Sequence, residues 1–352
     1  MDSLEKIGNL LASGQGLVLA VIVARSGSAP ASIGTRMALL RDGTTIGTIG
    51  GGLLEAGTLN LAKKICLERK WALRDFHLNS EDASKAGMIC GGNVRVLVHF
   101  VDAANPHDLG LYRAIASAVR ENKKAWLITR IPGENETGPS LVQCFYSEDG
   151  FSLGGLDKST LERIAAKGRM NRAAQVVWGP ERYLVEPLGI KSTLFVFGAG
   201  HISRVLVPLC DMVGFKTTVL DDRREFADPE FFPAADRVVV VGHFNSAFNG
   251  LEVDENSSVV LVTRGHMHDM DLLAQALGTK AGYIGMIGSR NKREAIYRTL
   301  TSRGFTNRDF ERVHSPIGLD ICAETPEEIA VSIVAELIQK RARRTACAGL
   351  KA

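Results

Sequence analysis

The residues with the clearest chemical potential form the stretch Gly198-Ala199-Gly200-His201-Ile202, which follows an apolar run, Thr193–Phe197. That run has the composition of a buried parallel strand. Gly198 permits a tight turn, and Gly200 allows a ligand to approach the backbone. The helix that is predicted from about residue 202 directs its N-terminal amides and its dipole towards a phosphate. This pattern predicts a nucleotide-binding site.

An acidic strand end completes the nucleotide pattern. Lys216–Leu220 is predicted to form the second strand, and Asp221 and Asp222 stand at its carboxyl end. An acidic residue about twenty positions after the glycines can accept hydrogen bonds from ribose hydroxyls. Arg223 and Arg224 make NADP a candidate ligand as well as NAD, because a guanidinium can pair with a 2′-phosphate through two hydrogen bonds. A purely structural glycine turn is the alternative.

Two further polar motifs follow predicted strands. Arg264-Gly265-His266 follows the strand 258–263, and Gly288-Ser289-Arg290 follows the strand 283–287. Since the carboxyl ends of parallel strands meet at one edge of a sheet, we expect both motifs at the nucleotide site. The second motif also opens a helix, which suits a phosphate contact.

Histidines near the first of these motifs raise the question of a metal. His266 and His268 lie beside Asp269, and all three residue types can bind a metal ion. The two histidines are only two positions apart, however, and no further ligand stands near them in the sequence. Helix caps or substrate contacts are the favoured interpretation.

A glycine cluster in the N-terminal half suggests an anion site. Gly50-Gly51-Gly52 separates a predicted strand, 44–49, from a helix that reaches about residue 69. Three successive glycines carry a large entropic cost, which is explained either by a backbone that approaches an anion or by a tight strand-to-helix turn. Glu55 is either a first-turn carboxylate that the helix dipole favours or a site residue.

A second cluster, Cys90-Gly91-Gly92, precedes a strand that is predicted over 93–100. Free cysteines are usually inert core residues. Cys90 differs because the two glycines leave its sulfur uncrowded and offer backbone amides that can stabilise a thiolate. Cys90 is therefore the cysteine with a candidate functional role, and no residue is assigned a catalytic role.

Composition and the order of the predicted elements limit the classes of protein to which this chain can belong. The chain has 352 residues, with 42 Lys and Arg against 39 Asp and Glu, so it lacks the concentrated basic charge of a nucleic-acid binder. Strands alternate with helices over 188–345, which predicts a Rossmann-like doubly wound parallel sheet. Residues 1–187 predict a separate α/β (mixed) domain with an α/β extension from about residue 101.

Cysteine usage and hydropathy indicate a compartment. The six cysteines are scattered and include no Cys-x-x-Cys pair, a spacing that fits neither a zinc ribbon nor a disulfide framework. With no signal peptide in the sequence, we expect the cytoplasm. The apolar run 17–24 is too short to cross a bilayer, so no membrane partner is expected.

Taken together, these motifs resemble the XdhC/CoxI family, accessory factors for xanthine dehydrogenase, carbon monoxide dehydrogenase and related molybdenum hydroxylases. The resemblance covers nearly the whole chain. In the N-terminal domain it rests on Gly27–Pro30, Gly34–Met37, Gly50–Glu55 and Gly87–Gly92. In the C-terminal domain it rests on Phe197–Ile202, Asp221–Arg223, Thr263–His266, Tyr283–Arg290 and Ser315–Asp320.

The resemblance implies a function in molybdenum cofactor handling. Such proteins bind the cofactor in its sulfurated form, which is made with a cysteine desulfurase, and pass it to an apo-hydroxylase. The Cys-Gly-Gly pattern of the family is matched by Cys90-Gly91-Gly92, so we expect Cys90 to contact molybdenum or its sulfur. Gly50-Gly51-Gly52 and Glu55 are further candidates, and a homodimer is expected. Ala31 departs from the family pattern, which often has Arg after the proline.

Two other classes of function remain alternatives. The Rossmann pattern alone permits an NAD(P)-dependent oxidoreductase, although no Tyr is followed four positions later by Lys, the pair of a short-chain dehydrogenase. A redox-regulated binding module, in which Cys90 only reports oxidation, is the third interpretation.

Overall fold

The computed structural model describes residues 3–29, 31–78, 92–121, 123–133, 136, 138, 141–168, 172–189 and 192–348. The chain forms two compact units, one running to residue 190 and the other from residue 191 to residue 347. The fold is α/β, with antiparallel sheets in the first unit and a parallel sheet in the second.

The first half of the N-terminal unit contains one sheet with two helices. Its described elements are α1 (Ser3–Ala12), β1 (Leu17–Gly27), β2 (Arg36–Leu39), β3 (Thr45–Gly47), α2 (Gly52–Glu68), β4 (Trp71–His77) and β5 (Gly92–Val101). The five strands pair antiparallel in the order β3-β2-β1-β5-β4. The first seven residues of the central strand β1 are all buried, so both faces of this sheet are covered.

The second half of this unit contains another five-stranded sheet. Its described elements are α3 (Pro106–Glu121), β6 (Ala125–Ile131), β7 (Gln143–Ser147), β8 (Ser152–Leu153), α4 (Lys158–Lys167), β9 (Ala174–Trp178) and β10 (Glu181–Leu188). These strands also pair antiparallel, in the order β8-β7-β6-β10-β9. A shared apolar core, which includes Leu19 of β1 and Leu127 of β6, joins the two sheets.

The C-terminal unit has the Rossmann strand order. Its strands are β11 (Ser192–Phe197), β12 (Phe215–Asp221), β13 (Arg237–Val240), β14 (Ser258–Leu261), β15 (Tyr283–Met286) and β16 (Val313–His314). They are all parallel, in the order β13-β12-β11-β14-β15-β16. The order reverses between β11 and β14, which is the point where ligands bind in open α/β sheets.

Helices cover both faces of this parallel sheet, as the sequence predicts. They are α5 (His201–Met212), α6 (His266–Leu277), α7 (Arg290–Ser302), the short α8 (Asn307–Phe310) and α9 (Pro326–Ala348). On β11, Leu194 and Val196 pack in the core that contains residues of α5 and α9. Phe195 and Phe197 point the other way, into the core that contains residues of α6 and α7. This alternation gives a doubly wound sheet.

One helix boundary differs from the sequence expectation. Helix α6 begins at His266, whereas the polar stretch after β14 predicts a loop to about residue 269. Asp269 lies in the first turn and accepts hydrogen bonds from Thr263, so the helix starts four residues earlier. Within the described part of the chain, no helix combines the length and the apolar character that crossing a bilayer requires.

His99 on β5 gives a prediction for stability against pH. The side chain is 4% exposed, and burial lowers its pKa to about 4, against a smaller opposing effect of a hydrogen bond with the backbone of Phe100. Between the unfolded pKa of about 6.5 and the folded value, the unfolded state binds a proton that the folded state rejects. The free energy of unfolding should therefore fall as the pH decreases through this window, by about 2 kcal/mol between about pH 7.5 and about pH 5.

The variant His99→Leu should lose most of this pH dependence, measured by chemical denaturation at both pH values. His107 is exposed, so His107→Gln serves as the matched control and should behave as the unmodified chain. A His99→Leu variant with the full pH dependence would contradict the assignment.

Candidate functional site

The glycine turn after β11 is held on two sides. Gly198 has φ +109°, and a Cβ at this position would lie 2.5 Å from the carbonyl oxygen of Val262. The turn therefore packs directly against the end of β14, and only glycine fits. Ser203 is fully buried and its hydroxyl donates to the carbonyl of Gly198. The small residue in the place of a third glycine thus locks the turn.

The N terminus of α5 is open. Gly200 is the N-cap residue and no side chain caps this helix end. A Cβ added at Gly200 would meet no heavy atom within 4 Å. The first amides of the helix, at His201 and Ile202, therefore face a space that an anion can fill. This geometry suits the phosphate role that the sequence predicts.

Asp221, the last residue of β12, holds the turn in place. Its carboxylate is 1% exposed and accepts from the amide of Ala199 at 2.8 Å and from Arg223 Nε and Nη2 at 2.9 and 3.0 Å. Burial tends to raise the pKa of Asp221, but the bonds from Arg223 and Ala199 outweigh it and lower the pKa below its usual value. These partners fully engage both carboxylate oxygens, so Asp221 has a structural role.

Asp222 is the better candidate for a ribose contact. Its Oδ2 accepts from Arg264 Nη2 at 2.9 Å, and this bond joins the ends of β12 and β14. Its Oδ1 is buried and has no hydrogen-bond partner within the described residues. Arg223 Nε lies 3.9 Å from this oxygen. The Asp222 side chain is 19% exposed, so the oxygen that Arg264 orients is the one that a ribose hydroxyl could reach. For a 2′-phosphate, Arg223 is already bound to Asp221, whereas Arg224 is exposed.

A buried ion pair that the sequence motifs did not single out lies beside this site. Asp269 is 0% exposed and pairs with Lys292 of α7. The signal in the sequence is that Lys292 stands in the first turn of the helix after β15, where its side chain can reach the neighbouring strand end. A cavity of about 640 Å³ adjoins it; its lining is Arg264, Gly265, Met270, Lys292, Ala295, Ile296 and Thr299.

Arg290 lines a different cavity from the one beside Arg264. With Gly288 it lines a second cavity of about 540 Å³, together with residues 316–323. The hydroxyl of Ser289 accepts from the amide of Lys292 at 3.3 Å, so the end of α7 is already capped. The structure thus brings Asp222, Arg264 and Gly265 to the switch point of the sheet and places Arg290 in a separate cavity.

His268 and Asp269, which suggested a metal site in the sequence, contact other residues in the structure. The ring of His268 packs 5.1 Å from that of Phe244, and Asp269 is paired with Lys292. His266 is the first residue of α6. Across the described ranges, no group of three His, Cys, Asp or Glu side chains is placed to hold a metal ion.

In the N-terminal unit, the glycine cluster before α2 is occupied by the chain itself. Gly50, Gly51 and Gly52 have φ values of +117°, +74° and +59°. The carboxylate of Glu55 accepts from Thr48 Oγ1 at 2.5 Å and from the amide of Gly51 at 3.3 Å. Glu55 is therefore the first-turn carboxylate at the positive end of the helix, and a second anion at that point would meet its charge.

The Cys-Gly-Gly cluster is described only from its last residue. Gly92 is buried, begins β5 and pairs with Gly27 at the end of β1. Cys90 and Gly91 lie outside the described residues.

A cavity rich in arginine is a feature of this unit that the site predictions missed. Its volume is about 640 Å³, and its lining is Arg25, Ser32, Ile33, Gly34, Thr35, Arg36, Arg172, Ala173, Glu186 and Pro187. Arg36 belongs to the motif Gly34–Met37, so a signal was present in the sequence. Arg172 and Glu186 are distant from it along the chain, and only folding brings them to the same cavity.

Comparisons with known proteins agree with this architecture. A model described as the XdhC and CoxI family matches residues 10–77, and a model described as the XdhC Rossmann domain matches residues 194–337. The chain belongs to the XdhC and CoxI family. The first match includes Arg25, Arg36 and Glu55, and the second includes the whole edge of the parallel sheet from Gly198 to Arg290.

Relatives of this XdhC-type chain include two of similar length. A Bacillus subtilis (strain 168) protein, named as a probable xanthine dehydrogenase subunit, is 26% identical over 339 residues, 95% of this chain and 96% of that protein. The molybdenum cofactor insertion chaperone PaoD of Escherichia coli (strain K12) is 21% identical over 337 residues, 94% of this chain and 85% of PaoD. The Escherichia coli protein YqeB is 31% identical over 151 residues, but the match spans only 28% of YqeB.

The fold also resembles a solved structure over its full length. The crystal structure of a xanthine dehydrogenase from Bacillus halodurans aligns with a TM-score of 0.79 and 26% sequence identity. The alignment covers 98% of this chain and 97% of that one. Both units therefore have counterparts in that structure.

The two glycines of the turn should respond oppositely to an added methyl group. Gly198→Ala forces a Cβ against the backbone of Val262 and strains a positive φ, so we expect it to destabilise the chain by at least about 2 kcal/mol. Gly200→Ala meets empty space and should leave the melting temperature nearly unchanged. Thermal and chemical denaturation of both variants test this, and equal stability of the two would contradict the described packing.

Proposed function

We propose that this XdhC-type protein is a maturation factor for a molybdoenzyme of the xanthine dehydrogenase type. In this proposal it binds the sulfurated molybdenum cofactor and delivers it to the apo-hydroxylase. The observation that carries the proposal is the similarity to PaoD over 94% of the chain, since PaoD is named a molybdenum cofactor insertion chaperone. The full-length similarity to the Bacillus subtilis protein, whose name refers to xanthine dehydrogenase, supports the same enzyme class.

The chemistry of the cofactor sets what such a protein must offer. The cofactor is an anionic pterin with a phosphate and a dithiolene-bound metal. Its carrier therefore needs hydrogen-bond donors for the anionic groups, and the metal tolerates a soft ligand from the protein. We assign the soft ligand to Cys90, because a thiolate suits molybdenum and can also receive transferred sulfur. The amides of Gly91 and Gly92 would support that thiolate. A cysteine desulfurase is the sulfur donor in this proposal, and a homodimer is the expected assembly.

The C-terminal unit is proposed to bind a nucleotide. The open amides after Gly200 would hold a phosphate, and Asp222, whose side chain is 19% exposed, would accept from the ribose through the oxygen that Arg264 orients. The nucleotide is either a dinucleotide such as NAD or NADP, which would regulate release of the cofactor, or a nucleotide form of the pterin. Arg264 and Gly265 lie at the same switch point and complete the candidate site.

An NAD(P)-dependent oxidoreductase is the second candidate function. The strand order of the Rossmann fold and the open N terminus of α5 favour it. Turnover of NADH or NADPH by the purified chain, without bound pterin, would move this candidate ahead of the chaperone.

Cys90→Ser is the variant that tests the chaperone proposal. We expect the serine hydroxyl to be a poor ligand for molybdenum, so the variant should retain at least about tenfold less cofactor after gel filtration. It should also activate an apo-hydroxylase correspondingly less. Cys322 is an exposed free cysteine, and Cys322→Ser is the matched control that should behave as the unmodified chain. If Cys90→Ser loads the apo-hydroxylase fully, the role assigned to Cys90 is wrong. If neither the unmodified chain nor a variant binds the cofactor, the chaperone proposal is refuted.

Nucleotide binding has its own test. Calorimetric titration of the full chain with NAD and NADP should give binding that Asp222→Asn weakens by about tenfold, because a carboxylate is the stronger acceptor. Gly200→Ala should also weaken it, since the methyl group enters the proposed phosphate space. Asp211 on α5 is exposed, and Asp211→Asn is the charge-matched control. Absence of binding for both nucleotides would remove the dinucleotide from the proposal.

A further inference from the structure

We propose that the arginine cavity of the N-terminal unit, formed around Arg25, Arg36 and Arg172, binds a phosphate monoester. We infer further that it receives the phosphate of the pterin cofactor, and this second step rests on the proposed function. The described lining residues all belong to the N-terminal unit.

The cavity is a concave surface between two sheets. Arg25 comes from the end of β1, and the connection Ser32–Thr35 leads to Arg36 at the start of β2. Glu186 and Pro187 come from β10 of the other sheet, and Arg172 and Ala173 immediately precede β9. A volume of about 640 Å³ is suited to a small ligand.

One of the three guanidinium groups is fixed in position. Arg36 Nη2 donates to Glu186 Oε1, and Nε and Nη2 both lie 3.4 Å from the carbonyl oxygen of Gly34. The Arg36 side chain is 15% exposed and that of Glu186 is 5% exposed. A guanidinium that is held by a buried partner loses little further freedom when it binds a ligand, which favours affinity.

The other two guanidinium groups have no carboxylate partner among the described residues. Arg25 donates to the carbonyl oxygen of Ala31 at 3.4 Å, and Arg172 forms no hydrogen bond or ion pair with a described residue. The three arginines and Glu186 together leave two positive charges in excess on the cavity wall. That excess matches a phosphate monoester dianion, and guanidinium groups pair with phosphate oxygens through two parallel hydrogen bonds.

The alternative anion site in this unit is less favourable. At the N terminus of α2 the Gly51 amide already donates to Glu55, so an incoming phosphate would meet a carboxylate. In the arginine cavity the carboxylate present, Glu186, is neutralised by Arg36. Electrostatics therefore favour the arginine cavity for a dianion.

The cavity also lies at the appropriate end of the first sheet. Arg25 pairs with Val94, and Gly27 pairs with Gly92, the first residue of β5. In the sequence, Cys90 precedes Gly92 by two positions. A phosphate at Arg25 would therefore lie beside the paired ends of β1 and β5.

The test measures inorganic phosphate binding to the full chain by calorimetry, with ionic strength held constant by chloride. We expect Arg25→Gln and Arg172→Gln each to weaken phosphate binding by about tenfold. Both positions are exposed, so the variants should fold. Arg163 is an exposed arginine on α4 outside the cavity, and Arg163→Gln should bind phosphate as the unmodified chain does. Equal affinity in all four proteins, or an equal loss in Arg163→Gln, would overturn the site.

A second measurement separates free phosphate from the cofactor. The same proteins are loaded with molybdenum cofactor, and the cofactor retained after gel filtration is measured. If the phosphate belongs to the cofactor, Arg25→Gln and Arg172→Gln should retain about tenfold less and Arg163→Gln should retain the normal amount. Variants that lose phosphate binding but retain the cofactor fully would overturn the cofactor assignment. If the unmodified chain binds phosphate through these arginines but never retains cofactor, the proposed function fails while the phosphate site stands.

Discussion

The N-terminal unit depends on one buried ion pair between its two sheets. Arg36 belongs to β2 of the first sheet and Glu186 to β10 of the second, and both side chains are largely withdrawn from water. Burial raises the pKa of Glu186, and the charge of Arg36 opposes that shift. Removing either partner would leave an uncompensated buried charge, which typically costs about 3–5 kcal/mol. The pair therefore fixes how the sheets meet and, through that junction, the shape of the arginine cavity.

Asp221 has the comparable role in the C-terminal unit. Its carboxylate connects the end of β12 to the amide of Ala199 in the glycine turn, and Arg223 compensates its charge. The turn is thereby held against the end of β14, where Val262 leaves room only for a glycine. Because this carboxylate is committed to structure, Asp222 is the candidate for the proposed ribose contact, and Arg264 orients its Oδ2.

Internal carboxylates also explain where an anion can bind. Glu55 accepts from the first turn of α2, Asp269 pairs with Lys292, and Asp221 engages the turn before α5. Each of these acidic side chains binds an amide or a cation that, from the sequence pattern alone, would be available to a ligand. Among the described residues of the candidate sites, the donors that remain include the uncapped amides of α5 and the guanidinium groups of Arg25 and Arg172. A carrier of a phosphorylated pterin would use donors of this kind, since they bind an anion without a competing charge.

The sequence by itself determined the α/β class, the doubly wound parallel sheet and the residues at the carboxyl ends of its strands. Those features are local, because apolar runs alternate with helical patterns, the glycines follow one strand and Asp221 ends the next. The order of the strands came from the structure. The family resemblance carried by the same motifs is also confirmed. The assignments to Cys90 and Gly91 stay predictions, because these residues lie outside the described part of the chain.

Only the tertiary structure decided how the charged residues are used. Sequence spacing could not separate Asp221 from Asp222, because adjacent residues share a strand end, yet one is buried under Ala199 and Arg223 while the other faces Arg264. It could not show that Arg36 meets Glu186, since the two residues are 150 positions apart. Long-range packing, which no local pattern encodes, set these pairings and with them the charge of each cavity.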